Sequence, residues 1–352
     1  MAALTRREVI QLGTAAAGLA VLAPILGCAS EEKAPEQAAD EATKPQEAAP
    51  EEASEDTAEE SVASGPAVYF TPDISPAGLV AAYQALGITL PGKVGVKIST
   101  GQGAHSNYLR PEFIADLVHL VDGDIVECNT AFEGSRGITE SHLRVIEERG
   151  FPKVANTVIL DADADIELPV EGGRHLKGNL VGAKLDDYAG HLVLSHFKGH
   201  VNGGFGGAIK NMSIGYASKA GKSRIHTAGA WDSEWLSHGG AEQNDFLESM
   251  AEAAKSIVDH VGSPNIAYVN VMNRLSVDCD CDPNPREPTM ADIGILSSLD
   301  PVALDCACAD LVYAASDGAD LIERIESLNG WHTLEYGEQI GLGVMDYTLV
   351  TI

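Results

Sequence analysis

Along this chain, short apolar runs alternate with longer segments whose apolar residues recur every three or four positions. The runs near Ala67–Phe70, Val94–Ile98, Asp124–Cys128, Thr157–Leu160, Ala189–Leu194 and Ile266–Val271 have the length and β-branched content of buried strands. Between them, Pro76–Leu86, Pro111–Val121, Ile138–Arg149 and Glu242–Val261 carry the helical period. Asp300 ahead of Pro301 marks one more helix start, with the aspartate as N-cap and the proline at the first helical position. Strands that are apolar on both faces and alternate with helices predict an α/β body built on a doubly wound, mostly parallel, Rossmann-like sheet. Ligand sites in such sheets lie beyond the carboxyl ends of the strands. That directs attention to the polar segments there: Ser99–His105, Asn129 with Thr130, Asp161, and the stretch from His196 onward.

The pattern fails ahead of Pro66, where no strand or helix of this kind is repeated. Thr5-Arg6-Arg7-Glu8-Val9-Ile10-Gln11 has the twin-arginine export pattern and leads into the apolar stretch Leu12–Leu26. That stretch is short and rich in Ala and Gly, so it reads as a signal rather than a membrane span. Ile25-Leu26-Gly27-Cys28 reads as a lipobox, which makes Cys28 the lipidated first residue of the mature chain. Residues 29–64 are acidic, rich in Ala, Glu, Pro, Ser and Thr, and contain no aromatic residue. Such a composition buries too little apolar surface to offset its ordering entropy and predicts a disordered tether. The expected organisation is a signal over 1–28, a linker over 29–64 and an α/β body over 65–352. The expected location is extracytoplasmic, anchored to the cell membrane through Cys28. The twin-arginine route moves folded proteins, often ones that acquire a cofactor first.

Charge sharpens the picture at one place. The chain carries a formal net charge of −29, yet Ser195–His226 contains no Asp or Glu. The same window holds Lys198, Lys210, Lys219, Lys222, Arg224, three histidines and seven glycines. If the chain stays extended past Leu194, then His196, Lys198 and His200 project from one face. Gly203, Gly204, Gly206 and Gly207 can bring backbone N–H groups close to a ligand, and a helix starting near Ala208 would add its positive end. The glycines also let Lys210 fold back toward that face, with Asn211, Lys222 and His226 following. From the earlier segment, Asn129 and the planar fork of Arg136 are further ligand-binding candidates. In this reading His196 and His200 are metal ligands or acid/base groups, and Lys198, Lys210 and Lys222 hold a small anionic ligand. The acidity of the body argues against a nucleic-acid partner.

Two further cysteines bear on chemistry. In Asp278-Cys279-Asp280-Cys281-Asp282 an extended chain places both thiols on one face and the aspartates on the other. Paired thiolates suit a metal ion or an iron–sulfur cluster, and a disulfide or an inert loop is the alternative. Cys306 and Cys308 fall on the helix after Pro301, where residues two apart diverge by about 200°. They cannot both face one site.

His-Phe-Lys-Gly-His, Gly-Phe-Gly-Gly-Ala-Ile-Lys-Asn, Gly221-Lys222…His226 and Asp278–Asp282 together resemble the signature of domain-of-unknown-function family 362, over about Lys93–Leu311. The resemblance implies an α/β fold and a pocket, and some members are labelled iron–sulfur-centre proteins. Many of those carry a ferredoxin-like insert with four cysteines ahead of the Cys-x-Cys element. Here Thr227–Gly262 has no cysteine, so that cluster is not expected. Gly-Phe-Gly-Gly-x-x-Lys is also similar to the lysine element of the nickel-pincer lactate racemases, which makes Lys210 a candidate attachment point. Two functional expectations follow. One is a metal- or iron–sulfur-dependent redox enzyme with a pocket for a metal or anionic small ligand. The other is a binding lipoprotein without turnover.

Overall fold

The computed structural model describes residues 3–15, 65–103, 105–231 and 240–352. Cys28 and the linker 29–64 lie outside the described residues. The body is organised by a nine-stranded sheet. Its strands run in the order Ala3–Thr5, Thr348–Thr351, Ala67–Thr71, Gly294–Ser298, Ile266–Met272, Gly190–His196, Val94–Lys97, Gly123–Glu127 and Thr157–Ile159. The half from Ile266–Met272 to Thr157–Ile159 is parallel throughout. Gly294–Ser298 runs antiparallel to both of its neighbours. The sheet is therefore mostly parallel, as the alternating pattern predicts.

Alternate residues of the central strand enter different cores, which is why it reads as a continuous apolar run. Leu192 and Leu194 pack with Leu79, Ile114, Leu117 and Ile146 from the helices Pro76–Ala85, Pro111–Leu120 and Thr139–Glu148. Val193 points the other way, to Ile209, Met212, Ile257 and Cys306 from the helices Ala208–Tyr216, Gln243–Val261 and Pro301–Ala314. Both Cys306 and Cys308 are fully buried in that second core. Among the described residues no helix is long and apolar enough to cross a membrane.

One feature of the topology fixes where a site can form. From Val94–Lys97 the chain winds outward to Gly123–Glu127 and Thr157–Ile159, then returns to pair Gly190–His196 on the opposite side of Val94–Lys97. The carboxyl ends of Val94–Lys97 and Gly190–His196 therefore splay at a topological switch point.

Candidate functional site

Asn211, in the first turn of the helix Ala208–Tyr216, fastens this fork. Its Nδ2 donates to the carbonyls of Lys97 and Leu194 and to Ser195 Oγ, each at 3.1 Å. Its Oδ1 accepts from Lys97 Nζ at 3.1 Å. Beyond the fork lies a cavity of about 220 Å³, lined among others by Lys97, Glu127, Arg136, His196, Lys198, His200, Gly206, Gly207, Lys210, Asn211, Lys222, His226, Cys279, Asp280 and Cys281.

The extended run does not continue as one strand. It breaks at Phe197, and Lys198–His200 pairs antiparallel with Gly204–Gly206 across a turn. The glycines thus make a hairpin rather than a cradle of N–H groups. Gly203 N–H donates to His200 Nδ1 at 2.9 Å. Gly204, at φ +76°, packs against Ile325 and Gly330 and away from the cavity. Gly206 faces the cavity and serves differently: a Cβ there would stand 3.1 Å from Lys210 Cδ and 3.9 Å from Lys198 Cε. Both lysine stems pass over this glycine, and a methyl group there would press on Lys210.

The helix N-terminus also departs from expectation. Asp305 accepts from Ala208 N at 2.7 Å and Ile209 N at 2.9 Å, and Asn270 Nδ2 donates to it at 2.7 Å. The positive end of the helix is already answered by a carboxylate of the chain itself. Burial pushes the Asp305 acid up to about 6, against the pull of those donors. Gly207 admits this carboxylate, since a Cβ there would fall 2.3 Å from Asp305 Oδ1.

Several predicted site residues prove to be committed to internal partners. His196 Nδ1 lies 2.9 Å from Asp280 Oδ1 and its Nε2 lies 2.6 Å from the Asn273 carbonyl. Both ring nitrogens are thus engaged by acceptors of the chain itself. Lys198 Nζ pairs with Asp280 Oδ2 at 3.0 Å and donates to the His196 carbonyl at 2.6 Å. Burial alone would raise the Asp280 acid, but the Lys198 ammonium and His196 hold it below the usual carboxylate range. Arg136 donates from Nη1 to both Glu127 carboxylate oxygens, at 3.1 and 3.2 Å, and from Nε to Gln102 Oε1 at 3.0 Å. Asn129 lines a neighbouring cavity with Asp161, where its side chain bonds Thr139 and His142.

Two groups in the same cavity are left open. Lys210 has no hydrogen-bond or ion-pair partner among the described residues, and burial together with the Lys198 charge lowers its ammonium to about 7. His226 donates from Nδ1 to the Lys222 carbonyl at 2.7 Å and packs on Phe246. Burial depresses its imidazole to about 4, so at neutral pH it is neutral with its lone pair on Nε2. Lys222 donates to the Ala217 carbonyl, and Lys97, lowered to about 8 by burial, donates to the Ile98 carbonyl.

The cysteines enter through Gly199, whose missing side chain lets the Val277 backbone lie against the hairpin; a Cβ would be 2.3 Å from Val277 O. Cys279 and Cys281, the nominated metal ligands, are joined as a disulfide with Cα atoms 5.2 Å apart. His200, Cys279 and Cys281 offer donor atoms within 4.8 Å of one another, a group that could hold a metal ion once the sulfurs are reduced. As they stand, the sulfurs are bonded to each other and His200 Nδ1 accepts from Gly203 and Asn202. The donor set fits a metal only after the disulfide is reduced.

Fold and site together define a doubly wound α/β domain with a cation-rich cavity at its switch point. The chain belongs to the family described as Domain of unknown function (DUF362), whose model matches residues 94–310. Among solved structures, the lactate racemase apoprotein from Thermoanaerobacterium thermosaccharolyticum is similar, at 14% identity and a TM-score of 0.38, over 58% of this chain and 50% of that one. A Thermotoga maritima protein from a structural genomics programme is similar at 12% identity and a TM-score of 0.38, over 75% of this chain and 58% of that one. This chain therefore spans about half the length of the first and 58% of the second. No curated protein matches it.

Proposed function

We propose that the cavity binds a small anionic molecule, with Lys210 as the group that meets its charge and His226 Nε2 as the available base. The observation that carries this is one of partners. Lys198 and Arg136 are neutralised by Asp280 and Glu127, and Lys97 and Lys222 are tied to backbone carbonyls, while Lys210 has no acceptor among the described residues. An anion would give this half-buried amine a charge-assisted hydrogen bond. The surrounding cations add a long-range attraction. An exported, lipid-anchored setting fits the sequence at Arg6-Arg7 and Cys28.

Calorimetric titration with a panel of small carboxylates and inorganic phosphate tests the reading. Loss of one charged hydrogen bond is worth about 1.5–3 kcal/mol, so Lys210→Ala should weaken the bound member of the panel about tenfold to a hundredfold. Unchanged affinity in that variant would return Lys210 to a packing role. A second reading, a metal-dependent redox site, is favoured by the His200, Cys279 and Cys281 group alone. Metal uptake that requires prior reduction, and that vanishes in Cys279→Ser, would support it.

A further inference from the structure

The N-terminal segment takes no part in the cavity, yet it is built into the body. Ala3–Thr5 adds an antiparallel strand to the sheet edge, with Leu4 opposite Leu349 and Thr5 opposite Thr348. Thr5 and Glu8 then cap the helix Arg6–Ala15 reciprocally: Thr5 N donates to Glu8 Oε2 at 2.7 Å and Glu8 N donates to Thr5 Oγ1 at 3.4 Å. The twin arginines occupy the first turn of that capped helix. Arg7 is exposed, but Arg6 is not free. Its Nε lies 3.0 Å from Asp310 Oδ2, its backbone N–H donates to the Tyr347 carbonyl at 3.1 Å, and its guanidinium lies over the Trp331 ring at 5.7 Å. One turn on, Val9 is only 1% exposed and joins the core beneath the sheet.

The body side of this contact is specific. Asp310 is 5% exposed on the buried helix Pro301–Ala314, and Arg6 is its only cationic partner among the described residues. Tyr347 Oη donates to the same Oδ2 at 3.0 Å. Burial pushes this acid upward, and Arg6 opposes that shift. A buried carboxylate, an aromatic ring and an open strand edge thus converge on one short segment.

We propose that residues 3–15 dock in cis on this surface, and that docking hides Arg6 from the receptor that reads the twin-arginine pattern. The masking half rests on Arg6-Arg7 being an export address; the docking half does not. The occupant is the chain's own N-terminus, so the body acts as the first reader of its own signal. Release of the segment, or its removal during processing, leaves the edge strand Thr348–Thr351 unpaired on that side and Asp310 without its cation.

Hydrogen exchange on the unprocessed, full-length protein tests docking. Amides of residues 3–12 should exchange at least about a hundredfold more slowly than those of a free peptide of the same sequence, as local opening of a docked element requires. Asp310→Asn and Trp331→Leu should each cut that protection about tenfold while Gly190–His196 stays protected. The Trp331 change touches a half-buried ring at the surface and keeps the test valid if Asp310→Asn misfolds. Peptide-like exchange of residues 3–12 in the wild type would overturn docking. Protection that grows with protein concentration would assign the surface to a second copy and overturn the cis form. Pulse–chase export in the native host tests masking: variants that lose protection should leave the precursor pool faster. Equal or slower export with protection lost would overturn masking and leave docking intact.

Discussion

On one wall of the cavity, His196, Lys198 and Arg136 are each locked to a carboxylate of the chain; on the other, Lys210 and His226 face the same space with no ion-pair partner among the described residues. The two walls are built from the same residue types and come largely from one contiguous stretch. What separates them is the arrival of Asp280 and Glu127 from distant segments. The first wall is structure: its charges are internal pairs whose removal would unfold before it would reprogram. The second wall is the one to which the proposed function assigns the ligand, because Lys210 Nζ and His226 Nε2 have no hydrogen-bond or ion-pair partner among the described residues. Counting cations marks the neighbourhood, and counting their partners separates the paired groups from the open ones.

The sharpest way to break this contrast is at Asp280. Asp280→Asn keeps the shape but leaves Lys198 and His196 buried without their counter-charge, which should cost about 3–5 kcal/mol of stability by denaturant titration. The sign with pH follows from the lowered acid. Asp280 contributes stability above the ordinary carboxylate range and loses it as pH falls through its own depressed value, so the variant should lack that part of the acid sensitivity. A loss below about 1 kcal/mol would mean the pair is solvated, like a surface ion pair.

Substituting Lys210 should have the opposite effect on stability. Its ammonium titrates near 7 in the folded chain against an ordinary 10.5, so the unfolded state holds more protons between those values. Stability should therefore rise with pH across that window, and Lys210→Met should flatten the rise and stabilise the protein at neutral pH by about 1 kcal/mol. Thermal melts at pH 7 and pH 9 report both effects. A destabilised Lys210→Met would place this amine among the structural pairs.

A third, smaller contrast lies in ligand affinity. If the protonated Lys210 meets the anion, affinity should be flat below pH 7 and fall about tenfold per unit well above it. Smallest of all is Gly206→Ala, whose methyl group meets Lys210 Cδ at 3.1 Å and requires only a few tenths of an ångström of adjustment. An affinity loss of about two- to fivefold, on the order of 0.5–1 kcal/mol, with the melting temperature nearly unchanged, is the expected result.

The fold was legible because its signals are local. Apolar runs such as Val94–Ile98 and helix starts such as Asp300-Pro301 depend on neighbours within a turn. The strand Gly294–Ser298 escaped because its run is short and opens on a glycine at φ +156°. The site was legible as a neighbourhood, through the acid-free window, and illegible in its wiring. Asp305 caps the helix at Ala208 from 97 residues away, which no spacing rule anticipates. Asp280 stands between two conspicuous cysteines, which drew the chemistry to their sulfurs and away from the carboxylate. Lys97 is the lone charge in the apolar run Val94–Ile98, and that isolation was the signal available for it.

The helix Pro301–Ala314 reaches both ends of this account. At Asp305 it props up the floor of the cavity, and at Asp310 it grips the first helix of the chain. It behaves as a beam with a load at two points, set in a core that leaves it no slack. A substitution along its length, at Cys306 or Cys308 for instance, strains both attachments together. An assay of either one alone would credit to a single site a disturbance that the beam had shared between two.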